Sequence, residues 1–219
     1  MKKVLLLSLI VLFLPGAVFS GNYQLGADLG YRGGLNISAS GLVTNLAKGF
    51  PFFVRAGLSY TSIDPGKSAA ARRIFINNAT NGTPEKNGSI WDLRFDLLYK
   101  VNWFSLKNAY FFAGPRYAWF NGNFNYVGGN ENFDVTSSEW GFGAGLETHY
   151  PVSNNMNLIL GAGLDYYSTN VLKGHDTSYS SDGEIINGRE DYNYDDADGA
   201  INQPTFEPRL IIGLTYLLK

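Results

Sequence analysis

No cysteine occurs among the 219 residues, so the chain can carry neither a lipid-modified N-terminal thiol nor a disulfide framework. Charge is scarce too, at 16% of residues, and it forms no basic patch. Nucleic acid would ask for one, so it is not an expected partner. Beyond the first twenty residues no apolar run approaches the roughly 20 residues that a membrane-crossing helix needs. A membrane location is then open only to a closed barrel, which satisfies every backbone polar group internally. Histidine is limited to His149 and His175, which leaves little for acid–base chemistry to use.

The first twenty residues read as a leader. Lys2-Lys3 opens it, Val4 to Leu14 is a short apolar run, and Pro15-Gly16 breaks that run. Val18 and Ser20 then stand three and one residues before a junction at Gly21, both small enough for signal-peptide cleavage. The expected organisation is a signal peptide at 1–20, removed on export to the periplasm, and one β-barrel domain at 21–219. Without Lys2 and Lys3 the chain holds 15 basic against 19 acidic residues, a net charge of −4.

What the sequence does have is alternation. From Ile90 to Val101, Trp91, Leu93, Phe95, Leu97, Tyr99 and Val101 alternate with Asp92, Arg94, Asp96 and Lys100, with Leu98 the one exception. A period of two is the mark of a β-strand, whose successive side chains point to opposite faces. The same pattern recurs from Tyr23 to Arg32, Leu35 to Thr44, Phe52 to Thr61, Tyr110 to Phe120, Trp140 to Tyr150, Asn157 to Tyr166 and Arg209 to Leu218. Pro115 falls inside the fifth strand and cannot donate to a ladder, which predicts a bulge or local break there.

Across all eight strands the apolar face carries no charge, and the strand charges fall on the other face together with most strand glycines. A soluble barrel would do the opposite, with an apolar lumen and charges outside. The pattern therefore predicts an all-β, eight-stranded, antiparallel, up-and-down transmembrane β-barrel with lipid-facing aromatics near both interfaces. Connections alternate between short (46–51, 102–108, 151–155) and long (64–88, 121–137, 169–204). Such barrels keep short turns on the periplasmic side and long loops outside. The enclosed residues Asp28, Arg55, Asp92, Arg94, Asp96, Arg116, Glu147, Asp165, Glu207 and Arg209 are expected to pair as a lumenal charge network, because an unpaired charge in a narrow bore is costly. Tyr110, Phe112 and Phe120 share that interior, so no continuous water channel is expected.

Two motifs, Gly143-Ala-Gly-Leu-Glu-Thr-His-Tyr150 and Gly161-Ala-Gly-Leu-Asp-Tyr-Tyr167, carry a resemblance. On them the chain resembles the small eight-stranded outer-membrane β-barrels of the OmpA membrane-domain, OmpX and opacity types. It departs from their usual aromatic last residue by ending Tyr216-Leu-Leu-Lys219. The resemblance implies outer-membrane lipids, lipopolysaccharide and the outer-membrane assembly machinery as partners. An extracellular ligand would be met through loops 64–88 and 169–204.

No catalytic residue, cofactor or metal site is expected. His149 lies beside Glu147 near the periplasmic end, where no suitably spaced serine accompanies it. The run from Asp191 to Gly199 offers oxygen ligands of the kind Ca²⁺ prefers but lacks the spacing of a calcium loop. Lys67, Arg72, Arg73 and Lys86 could face that run or lipopolysaccharide phosphates. A structural or surface-interaction barrel ranks first, with a narrow porin and a lipid-A-modifying enzyme as the open alternatives.

Overall fold

A computed structural model describes residues 21–76, 81–102, 106, 108–186, 189 and 191–218. The expected signal peptide at 1–20 and most of the turn between 102 and 108 lie outside them.

Eight long strands close a ring. They are β1 (Asn22–Arg32), β2 (Leu35–Thr44), β3 (Phe52–Ile63), β4 (Thr83–Val101), β5 (Ala109–Val127), β6 (Asn132–Ser153), β7 (Met156–Tyr167) and, last in the chain, β11 (Phe206–Leu217). Each pairs antiparallel with its neighbour in sequence, and β11 pairs with both β7 and β1 to complete the closure. The eight expected strands are all present, in the expected order and with the expected faces. Leu98, the exception to the alternation, is fully buried inside.

The outward face matches its solvent. Leu29, Ile37, Leu93, Phe95, Leu164, Leu210 and Ile212 are exposed large apolar side chains that a soluble protein would bury. Aromatic residues gather at both ends of this band. At one end Tyr60 meets Trp91 with ring centroids 5.1 Å apart, and Tyr117 sits 4.8 Å from both Trp119 and Trp140. At the other end Phe52 lies 5.6 Å from Tyr99. Between Trp91 and Tyr99, β4 climbs about 26 Å at the usual strand rise, or about 20 Å along the barrel axis at the usual tilt. That height suits the hydrocarbon region of an outer membrane.

Pro115 does what its chemistry requires. The β4–β5 ladder runs up to Arg94 opposite Arg116 and resumes at Leu97 opposite Ala113, with the same register on both sides of the gap. The break is local and shifts nothing. Gly114 beside it lets the β4 backbone approach, since a Cβ there would stand 1.8 Å from the Phe95 carbonyl oxygen.

The long connections differ from the expected irregular loops. β4, β5 and β6 continue well past the aromatic band as a three-stranded extension, taking up much of 83–88 and 121–137. The rest folds over the mouth. It comprises α1 (Ser68–Phe75), the short strands β8 (Leu172–Lys173), β9 (Ser178–Tyr179) and β10 (Ile185–Ile186), and α2 (Tyr194–Asp198), with β8 joining β6 at Thr136. The period-two signal is faint there because short strands and a two-turn helix give it too few residues to repeat.

Candidate functional site

The lumen is built from the even face of β1, β2, β4 and β5 and the odd face of the other four strands. Register places partners directly across from one another: Arg55 opposite Asp96, Ser59 opposite Asp92, and glycine opposite several bulky charged groups. Gly57 faces Arg94 and Gly143 faces Asp165. A Cβ at Gly143 would come within 2.0 Å of the Asp165 carboxylate and 2.5 Å of the Arg116 guanidinium. The glycine is space left for its neighbours.

Within that space the charges join end to end. Nearest the extracellular side, Arg32 Nη1 lies 3.2 Å from Asp92 and donates to the Tyr167 hydroxyl at 2.7 Å. Tyr167 in turn donates to Asp92, as does Ser59. Arg94 bridges Asp92 and Asp165, the latter at 3.5 Å. Arg116 bridges Asp165 at 3.1 Å and Asp96 at 2.7 Å. Arg55 continues from Asp96 at 2.9 Å to Glu147 at 2.7 Å, and His149 Nε2 closes the series 2.7 Å from Glu147. Four guanidinium groups alternate with four carboxylates along the bore, all of them buried or nearly so. Pairing on both sides is what makes such burial tolerable, since an ion taken from water without partners costs several kcal/mol.

Three of the expected members stand apart. Asp28 accepts a hydrogen bond from Ser38, and neither Glu207 nor Arg209 has an ion-pair partner among the described residues. Arg209 instead lies with its guanidinium carbon 4.8 Å from the centre of the Phe112 ring, and Arg55 approaches the same ring at 5.3 Å. A cation over an aromatic face gains from the ring quadrupole, more so when desolvated. Asp28 and Arg209 both line an internal cavity of about 20 Å³. Below it an apolar cluster of Leu42, Leu98, Tyr110 and Phe112 fills the bore, with Phe53 against it.

Three inward-facing groups lie outside the expected network. Arg32 is fully buried, Tyr167 is 1% exposed, and Glu139 is 1% exposed with its Oε2 unpartnered. Parity alone places Arg32 and Tyr167 inward. Glu139 falls just outside the strand as the sequence delimits it.

Above the charges the mouth has its own core. Ile90, Ala118, Phe120, Phe124, Phe133 and Val135 continue the inward faces of β4, β5 and β6, and Ala71, Ile74 and Phe75 of α1 bury against them. The C-terminal carbonyls of α1, which a helix leaves without internal partners, are met from the last long loop. Thr177 and Tyr179 both donate to the Ile74 carbonyl at 3.0 Å, and Arg189 donates to that of Arg73 at 2.9 Å. The acidic run contributes α2, whose start is closed by reciprocal hydrogen bonds between Asn193 and Asp196. Those bonds give the run a structural use. Among the described residues no group of three or more acidic or histidine side chains is close enough to hold a metal ion. Among the described residues no salt bridge joins the basic residues of 64–88 to the acidic side chains of that run: Lys67 donates to the Gly199 carbonyl and Lys86 pairs with Asp64 at 2.7 Å.

Among solved structures, a major outer membrane protein from Thermus thermophilus is similar to this chain with a TM-score of 0.73 and 22% identity, covering 91% of this chain and 100% of that one. The N-terminal β-barrel domain of Pseudomonas aeruginosa OprF matches with a TM-score of 0.44 at 12% identity, over 91% of this chain and 100% of that one. Ail, the attachment invasion locus protein of Yersinia pestis, matches at 0.42 and 10%, over 90% and 97%. No protein-family model and no curated protein matches the sequence.

Proposed function

Taking the chain as a small outer-membrane β-barrel of eight strands, we propose that it acts as a non-enzymatic, non-conducting pedestal that holds a folded platform at the cell surface. The observation that carries this reading is the filled bore. The ion-pair series runs nearly the length of the lumen, and the cavity among the charges, about 20 Å³, has room for about one water. The apolar cluster beneath it and the core at the mouth support the same reading at either end. A porin needs a continuous wet path. A lipid-modifying enzyme of this architecture needs a catalytic cluster at the outer end, whereas His149 is spent on Glu147 at the inner one.

The platform is the part free to vary its partners. Its exposed basic residues, Arg73 among them, suit lipopolysaccharide phosphates, and the aromatic-edged belt suits membrane lipid. Export behind the leader at 1–20 and insertion by the outer-membrane assembly machinery belong to the same proposal.

Conductance decides it. The purified barrel in a planar bilayer is expected to give no sustained current steps at either polarity. Regular open-channel steps from the native chain would put the porin reading first.

A further inference from the structure

On the outer wall the aromatic belt ends abruptly. Trp119 stands opposite Ser138 of β6, and one pair further out Asn121 lies between Ser89 and Thr136. The outward side chains change from indole to hydroxyl and amide within about 7 Å of strand, or about 5 Å along the axis. Tryptophan and tyrosine settle at the headgroup level of a bilayer. This step in the wall therefore lies where the hydrocarbon of the outer leaflet gives way to lipid phosphates.

At the same height β6 loses its neighbour. β7 accompanies it only as far as Tyr167 opposite Gly141. Beyond that point the edge of β6 is held by separate contacts. The Ser168 N–H donates to the Trp140 carbonyl at 2.8 Å, and the Asn170 side-chain amide donates to the Ser138 carbonyl at 2.5 Å. The chain then rejoins through β8, with Lys173 opposite Thr136. Between Asn170 and Lys173 this leaves a cavity of about 200 Å³, lined also by Thr136, Ser137, Ser138 and Val171.

Three of its lining donors have nothing to donate to. Leu172 is fully buried in the core of the mouth, so alternation turns Lys173 outward, where it is exposed. Thr136 and Ser138 share the outward face of β6 and are partly exposed. Among the described residues no salt bridge or side-chain hydrogen bond engages the Lys173 ammonium or either hydroxyl. The remaining polar groups are committed, since Ser137 donates to Glu139 and the Asn170 carbonyl accepts from the Val171 N–H at 2.8 Å. Two carboxylates flank the strand without lining the cavity. Glu139 is on its inner face, and Asp134, further out on the same face, accepts from Asn123 at 2.7 Å and forms no salt bridge with Lys173.

We propose that this cavity binds the phosphate of an outer-leaflet lipid, with Lys173 supplying the charge, Thr136 and Ser138 the hydroxyl donors, and the acyl chains descending beside Trp140. An ammonium pairs with phosphate as a point charge, and the phosphate oxygens accept the hydroxyl hydrogen bonds. A neutral sugar could use the hydroxyls but would leave the ammonium unmatched. The inference places the lipid contact of the pedestal reading on the wall, and it rests on that reading only for the depth of the barrel in the membrane.

The test is native mass spectrometry of the protein purified in a neutral detergent. It is titrated with phosphatidic acid, which carries a phosphate monoester, and with a diacylglycerol glucoside, which carries a sugar in its place. Phosphatidic acid is expected to give one saturable adduct that weakens with added salt. Lys173→Gln should weaken it about tenfold, and Thr136→Val combined with Ser138→Ala several-fold. Lys48→Gln, which removes the same charge from the short turn at 46–51, should leave it unchanged. Heat-dependent gel mobility shows that each variant remains folded. Equal binding of the glucoside, or native affinity in Lys173→Gln, overturns the proposal. So does loss of the adduct to millimolar inorganic phosphate, which would make the cavity a site for free anions. Planar-bilayer recording of the same sample separates the two readings: current steps defeat the pedestal and leave this site standing, whereas absence of the adduct on a silent barrel defeats this site alone.

Discussion

Arg116 shows what a single side chain decides in this lumen. It is fully buried and touches both Asp165 and Asp96. Arg116→Ala should therefore strand two carboxylates and cost about 3–5 kcal/mol, read from urea unfolding in lipid vesicles. Pairing it with Asp165→Asn should cost less than the sum of the two single changes, and strict additivity would mean that the groups are separately hydrated. Ser59 lies on the lumenal face opposite Asp92. It is 1% exposed and donates to Asp92, so Ser59→Arg should be as harmful as a change on the lipid face. Gly114→Ala should cost about 1–3 kcal/mol through overpacking, since the new methyl would meet a backbone oxygen that cannot swing away. Parity is legible residue by residue, and it puts the network charges on the inner face. Partner choice is not, because it depends on how far the strands are staggered around the ring. That is why Arg209 lies over Phe112 and Glu207 at the rim.

Elements divide into those that repeat and those that do not. The eight barrel strands are readable because lipid on one side and charge on the other impose a period of two over ten or more residues. Leu97→Arg and Leu164→Arg interrupt that pattern on the lipid face and should each destabilise folding by about 2–4 kcal/mol if near the midplane. The cap is less readable, since its helix and short strands derive their order from contacts far apart in sequence. Phe75 anchors it, fully buried and with its ring 5.6 Å from that of Tyr179. Phe75→Ala should open the cap to protease within 169–204 while the barrel keeps its heat-dependent mobility. Simultaneous loss of both would mean that cap and barrel fold as one unit. The Asp64–Lys86 pair that tethers the start of α1 adds a small pH dependence. Its hydrogen bond from Lys86 holds the Asp64 carboxyl below the usual carboxylate range. The stabilisation is present above the ordinary aspartate pKa and is lost as pH falls through the lowered one, so amide exchange in α1 should quicken only in that acidic window.

For the molecule as a whole, barrel closure removes free strand edges only where the ring is complete. β3 pairs with β4 as far as Ile63 opposite Gly88, and beyond that β4 continues from Thr83 to Asn87 with β5 alone as a strand partner among the described residues. This stretch is an open sheet margin held above the membrane, where identical barrels crowded side by side could add strand to strand. Its residues discourage that. Pro84 lacks the N–H a neighbour would need, and Glu85 and Lys86 would each meet a like charge in an in-register parallel copy. The consequence is a surface extension that can stand at high density without zippering into its neighbours.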